Sequence, residues 1–182
     1  GSVAWAALPR CGYASGGGAA GDARRRGVGA AVDGDEGDVT LRVFTARLSY
    51  VGADRLDITR AGADAYRKRT GLTWEGEPWA PSWTIVWPII KLRREVRDLG
   101  AYADSVLLAA WRAYEPAFTA EMRASYRHNR PAWDALLARE SVTLCCTCTC
   151  ADQCHRRLVA RMLVACGAVD CGERPEKARR GA

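Results

Sequence analysis

The sequence has no uninterrupted apolar run near the ~20 residues that a membrane-spanning helix needs. Its first residues also lack the basic segment, apolar run and cleavage site of a secretory signal. We therefore expect a soluble, cytoplasmic protein. In that compartment the eight cysteines are expected to be thiols, metal ligands or redox groups rather than a disulfide framework.

Length and charge leave several functions open. A chain of 182 residues, 48% of them hydrophobic, can bury one substantial core. The net charge of +6 permits an anionic small molecule, a nucleotide or nucleic acid as partner, because a positive field attracts anions. However, nearly all the basic residues are arginines spread along the chain. The charge alone therefore predicts no particular binding surface.

Composition divides the chain into three parts. Residues 1–38 are rich in Gly and Ala without periodicity, which predicts a flexible leader. Residues 39–175 carry strand and helix patterns and are expected to form a single domain. Residues 176–182 are charged and are expected to fray at the end of that domain.

Strand patterns recur along the central part. β-branched, alternating residues predict extended segments over 39–50 and 54–60. The apolar run over 141–146 is typical of a buried strand in a parallel sheet, and a short last strand is expected over 168–171. Helical segments lie between these strands, so the sequence predicts an α/β domain with a mostly parallel sheet.

The helical segments are separated by Gly and Pro. Pro116 is expected to end one helix, because proline disfavours α geometry in the residue before it. Residues 74–87 carry four tryptophans among glycines and prolines, which favours a loop that covers the core over a base-stacking surface. The predicted helices are 61–69, 89–98, 101–114, 117–130, 131–139 and a last one from about 154 to 166.

Residues 142–157 hold five of the eight cysteines and one of the two histidines. A strand, a polar loop and a helix in this order place the loop at the carboxyl end of a strand, where open α/β sheets bind ligands. Cys154, His155 and Arg156 then fall in the first helical turn, which favours a thiolate or a bound anion. We predict Cys154 as nucleophile, His155 as acid/base and Arg156 as anion clamp. The predicted anion-binding residues are Arg47, Arg60 and Arg156.

The same cysteines also fit a metal site. Cys146, Cys148, Cys150 and Cys154 offer four soft ligands, enough for tetrahedral zinc or an iron–sulfur cluster. Against this, structural zinc sites usually take ligands from two separate knuckles, and only one is present here. Cys150 and Arg156 also have the spacing of a phosphate cradle, but the loop lacks the glycines that such a cradle uses.

Three motifs in this region resemble one known family. They are Val142-Thr143-Leu144, Cys146-Thr147-Cys148 and Cys154-His155-Arg156-Arg157. Further upstream, Thr45-Ala46-Arg47, residues 54–60, Ala80-Pro81-Ser82-Trp83 and Tyr126-Arg127 also look like one branch of it. Together, over roughly residues 40–175, these segments resemble the domain-of-unknown-function 488 family of small bacterial and phage proteins.

The resemblance implies a single three-layer, Rossmann-like α/β domain located in the cytoplasm. It also implies a shared site made of Cys146, Cys148, Cys154, His155 and Arg156. Two cysteines, Cys145 and Cys150, are additions to the family pattern, and the glycine-rich leader has no counterpart in it.

Residues and resemblance together predict an intracellular enzyme with a cysteine-based site that acts on a nucleotide-like or other anionic substrate. One alternative is a zinc or iron–sulfur binding protein that uses the same cysteines. A second alternative is a non-enzymatic nucleic-acid binding module, which the dispersed arginines and the tryptophans would serve.

Overall fold

The computed structural model describes residues 40–149 and 152–175. The leader predicted over 1–38, the tail predicted over 176–182 and the metal role predicted for Cys150 lie outside the described residues.

Four strands form one sheet in which every pairing is parallel. They are β1 (Arg42–Arg47), β2 (Arg55–Asp57), β3 (Ser141–Cys146) and β4 (Val169–Glu173), in the spatial order β2-β3-β1-β4. From Val142 to Cys146 every residue of β3 is buried, as the continuous apolar run predicted. The predicted α/β fold with a mostly parallel sheet is confirmed.

Helices flank this sheet. They are α1 (Arg60–Thr70), α2 (Trp83–Glu95), α3 (Ala101–His128), α4 (Arg130–Leu137) and α5 (His155–Ala165), with a short 3-10 turn over Glu77–Trp79. α5 packs against β1, β3 and β4, while α2 packs along α3. Within the described ranges, no helix is both long and apolar enough to cross a membrane.

The break predicted at Pro116 is wrong, because α3 continues through that residue. An interior proline costs a helix ~3 kcal/mol, and that cost must be offset by packing. Tyr114, Phe118 and Met122 supply it, since all three lie on one face of α3 and are buried in the core. α2 likewise contains an internal proline, Pro88, and begins six residues before the predicted helix start at residue 89.

The tryptophan-rich segment divides between core and surface. Trp79 is buried and packs edge-to-face on Trp133, and Trp74 donates its ring N–H to the carbonyl of Asp57. Trp83 and Trp87 lie on α2 and are 41% and 47% exposed. The last five residues of the predicted loop are therefore the start of a helix that keeps large apolar side chains near solvent.

Asp54 connects the strands at the edge of the sheet. Its carboxylate accepts hydrogen bonds from the hydroxyls of Tyr50 (2.7 Å) and Thr143 (2.8 Å) and from the guanidinium of Arg174 (2.9 Å). Partial burial alone would raise the pKa of Asp54, but these three hydrogen bonds outweigh it and hold the pKa below its ordinary value.

Replacing this carboxylate should destabilise the fold. We expect Asp54→Ala to lower the free energy of unfolding by about 2 kcal/mol at pH 7, because three donors lose their acceptor. A depressed carboxyl pKa stabilises the fold above the unfolded-state pKa and loses that effect as pH falls, so the difference from wild type should shrink towards pH 3. Urea unfolding measures both, with Asp134→Ala, an exposed partner of Arg130, as matched control. Equal losses in the two variants would contradict this role of Asp54.

Candidate functional site

The end of β3 and the start of α5 bring three cysteines together. Cys146 is the last residue of β3, Cys148 follows it in the loop, and Cys154 is the N-cap of α5. Their sulfur atoms all lie within 4.8 Å of one another, and the Cys146 and Cys148 sulfurs are 3.6 Å apart. All three are free cysteines. We call these three residues the cysteine cluster; it contains three of the four sequence-predicted metal ligands.

His155 lies directly beside the cluster and is buried. Its Nε2 is 3.0 Å from the carbonyl oxygen of Ile58, which can only accept, so Nε2 carries the hydrogen. Nδ1 is then an acceptor in the neutral ring, and it lies 3.7 Å from the sulfur of Cys146. Burial lowers the pKa of His155, which favours this neutral form.

The buried side chain of Arg156 contacts the cysteine cluster and its neighbours. Its guanidinium is almost fully buried and donates to the Cys148 carbonyl at 2.9 Å, the Cys154 sulfur at 3.4 Å and the Glu173 carboxylate at 3.0 Å. Glu173 also accepts from the hydroxyl of Thr45. The predicted anion clamp therefore contacts the sulfurs and a carboxylate of the fold itself.

The negative charge of the cluster falls on a different cysteine from the one expected. Hydrogen bonds with Cys148 and Cys154 lower the pKa of Cys146 to about 3, despite its burial. Hydrogen bonds with Cys146 and Cys148 raise the pKa of Cys154. The start of α5 was predicted to lower the pKa of Cys154, but contacts with the neighbouring sulfurs outweigh the helix end. Of these two buried thiols, Cys146 is therefore the one that favours the thiolate form.

A cavity of about 120 Å³ adjoins the cluster. All three cysteines and His155 line it. Its apolar lining comes mainly from α2 and α3 and includes Trp83, Val86, Ile89, Ile90 and Trp111. Such a cavity, apolar but with a few convergent polar groups, is the usual form of a small-ligand site.

Arg93 on α2 is a site residue that the sequence did not reveal. It lines the cavity, is half-buried, and donates to the Cys148 sulfur at 3.3 Å and the Gln153 carbonyl at 3.4 Å. In the sequence it is one of several basic residues in that segment, and nothing distinguishes it from Arg94. Only the folded arrangement of α2 over the cluster identifies it.

Tyr114 on α3 was also missed as a site residue. It lines the cavity, is 6% exposed, and its hydroxyl has no hydrogen-bond partner among the described residues. Burial raises the pKa of Tyr114, with the nearby cysteines adding to the effect, so the hydroxyl remains protonated. Tyr114 stacks on Trp111 and Phe118, and Phe118 in turn contacts the ring of His155.

The remaining predicted anion ligands lie in different places. Arg60 lines the cavity, but its guanidinium donates to the carbonyls of Pro81 and Ala80 and to Glu77. Arg47 is exposed at the end of β1 and is not among the lining residues. Their anion-binding roles stay predictions, whereas the geometry brings Arg93 to the sulfurs.

Comparison with known proteins concerns the part of the chain that forms this site. A family model described as "Active DUF488-N3 subclade" matches residues 91–167, a range that includes Arg93, Tyr114 and the cysteine cluster. Over these residues the chain resembles the domain-of-unknown-function 488 family. This match supports the resemblance predicted from the Cys-x-Cys and Cys-His-Arg motifs. No curated protein and no solved structure matches the chain.

The buried position of Arg156 leads to a test. We expect Arg156→Gln to lower the free energy of unfolding by about 2 kcal/mol, because it leaves Glu173 and the Cys148 carbonyl without their donor. The adjacent Arg157→Gln is the control, since Arg157 is about a third exposed and pairs with Asp170 at 3.7 Å. Urea unfolding of both variants should show a clear loss only at Arg156, and similar curves would contradict a structural role for it.

Proposed function

We propose that this protein is an enzyme whose cysteine cluster reacts as a thiolate with a nucleotide-like or other anionic substrate. One observation carries the proposal: the sulfurs line a cavity while two guanidinium groups, of Arg93 and Arg156, donate hydrogen bonds to them. Arginine cannot be deprotonated in a protein, so both groups favour negative charge on sulfur.

The arrangement around Cys146 supports thiol activation. A nucleophile, a base within hydrogen-bond reach and a third group that orients the base form the recurring pattern of such sites. Here the nucleophile, Cys148, is linked through Cys146 to the Nδ1 acceptor of His155, and the carbonyl of Ile58 orients the ring. His155 therefore has the position expected of the acid/base that the sequence predicted.

We assign the attacking sulfur to Cys148. It is the least buried member of the cluster, whereas Cys146 and Cys154 are each only 1% exposed. Arg93 contacts its sulfur and would hold a negative substrate group next to it. In this assignment the proton shared by the Cys146 and Cys148 sulfurs, 3.6 Å apart, moves onto Cys146 and the Cys148 sulfur supplies the electron pair of the new bond. The substrate's leaving group departs with its own pair and takes a proton from the Cys154 thiol. Cys154, the nucleophile predicted from sequence, is the second choice.

Alkylation kinetics test the proposal. With metal-free protein and iodoacetamide at pH 7, mass spectrometry should find Cys148 modified at least tenfold faster than Cys171, although Cys171 on β4 is exposed. Arg93→Gln should slow the reaction of Cys148 several-fold. Arg94→Gln is the matched control, because Arg94 lies over the ring of Trp87 instead. A cluster that is inert while Cys171 reacts would overturn the proposal.

A metal site is the second candidate, and the spacing of the sulfurs favours it. Tetrahedral zinc with bonds of about 2.3 Å to sulfur needs its sulfurs about 3.8 Å apart. The Cys146 and Cys148 sulfurs are 3.6 Å apart, and all three sulfurs lie within 4.8 Å of one another. His155 donates its Nε2 hydrogen to a backbone carbonyl and turns Nδ1 towards Cys146, as ligating histidines do.

Elemental analysis separates the two candidates. Protein purified without chelator should contain less than about a tenth of an equivalent of zinc or iron if the thiolate proposal is correct, and should show one fast thiol that Cys148→Ser removes. One equivalent of metal per chain, with a fast thiol appearing only after chelation, would instead establish the metal site.

A further inference from the structure

We propose that the cavity beside the cysteine cluster binds a ligand with one planar six-membered ring that carries a hydrogen-bond acceptor and a negative group. The hydroxyl of Tyr114 would donate to the acceptor, and Arg93 would bind the negative group. The inference rests on the proposed function only in treating this ring as part of the substrate; the binding itself requires no reaction.

The size of the cavity limits the ring. Its volume is about 120 Å³, and an engineered apolar cavity of about 150 Å³ accommodates benzene. A monocyclic ring therefore fills this space, whereas the second ring of a purine would extend into the open mouth of the pocket. The pocket thus favours a pyrimidine-sized ring over a purine.

The lining favours a flat apolar surface. α2 reads as an apolar helix, with Trp83 and Trp87 among its first turns, yet none of its residues is fully buried. Trp83 lines the cavity and is 41% exposed, so a ring placed there would remove apolar area from water. Stacking of a base-like ring on this aromatic side chain would strengthen binding.

The hydroxyl of Tyr114 is the group that would donate a hydrogen bond to the ligand's acceptor. A buried hydroxyl that forms no hydrogen bond is costly, and this one has no partner among the described residues. Its ring is held between Trp111 at 5.3 Å and Phe118 at 5.7 Å, in nearly parallel stacks. The side chain is therefore fixed, and a carbonyl oxygen or ring nitrogen of a ligand would satisfy the hydroxyl.

The guanidinium of Arg93 is the group that would bind the ligand's negative charge. Within the described ranges, two of its five N–H donors are engaged, with the Cys148 sulfur and the Gln153 carbonyl. Among the described residues, no carboxylate forms an ion pair with it. A ligand carboxylate or phosphate would engage the remaining donors and lie next to the sulfur.

Titration calorimetry with small probes tests the inference. Orotate has the ring, the acceptors and a carboxylate; uracil lacks the charge, benzoate lacks ring acceptors, and adenosine 5′-monophosphate carries a purine. We expect orotate to bind at least tenfold more tightly than each of the others. Arg93→Gln should remove the advantage of orotate over uracil, whereas Arg94→Gln should keep it.

Tyr114→Phe is the most specific variant, because it removes only the hydroxyl that has no partner. It should weaken orotate binding about fivefold and leave the affinity for benzoate unchanged. The melting temperature should stay equal or rise, because no hydrogen bond is lost. Tyr102→Phe, at an exposed position on α3, is the control. Unchanged orotate affinity in Tyr114→Phe, equal binding of adenosine 5′-monophosphate, or no saturable orotate binding would each overturn the inference.

Failure of this inference and failure of the proposed function give different results. Cys148→Ser should keep orotate affinity within about twofold while losing fast alkylation. Orotate binding without any fast thiol would sustain the ligand class and overturn the thiolate chemistry. A fast thiol without orotate binding would sustain the thiolate chemistry and overturn the ligand class.

Discussion

The buried guanidinium of Arg156 is the interaction on which the geometry of the site depends. A charge removed from water must be paired, and Arg156 reaches one carboxylate, one carbonyl and one sulfur, on β4, the cysteine loop and the start of α5. These contacts hold the loop against α5 and so keep Cys148 near Cys146 and Cys154. The convergence of the sulfurs thus follows from pairing one buried cation, whose Nε–H alone has no hydrogen-bond partner among the described residues.

The chemistry of the cluster follows from this arrangement together with α2 and α3. β3 ends at Cys146, which therefore lies at the carboxyl ends of the parallel strands. Such folds usually bind ligands at this end of the sheet. α2 and α3 cover one side of the site with apolar side chains, and their residues Arg93 and Tyr114 line the cavity. The residues matched by the family model include all of these groups except the first turns of α2.

The local sequence pattern was enough to predict the elements whose structure depends mainly on neighbouring residues. The continuous apolar run over 141–146 predicted the bounds of β3. The order of strand, loop and helix predicted a site at the end of that strand, and the family resemblance implied that Cys146, Cys148, Cys154 and His155 share it. Pro116 was misjudged because the sequence shows its local cost but not the burial of Phe118 that offsets it. Arg93 and Tyr114 come from distant helices, and their approach to the cluster is a property of tertiary packing. The charge on Cys146 rather than Cys154 likewise depends on hydrogen bonds between side chains that only the fold brings together.

The central claim is that the cluster carries a thiolate at a pH where ordinary cysteines are protonated. The ultraviolet absorbance of the thiolate, recorded on reduced, metal-free protein at pH 6, measures this directly. A folded-state pKa of about 3 for Cys146 predicts close to one thiolate per chain at that pH, and its loss in Cys146→Ser. Thiolate absorbance that appears only as the pH approaches the ~8.5 of a free cysteine would contradict the claim.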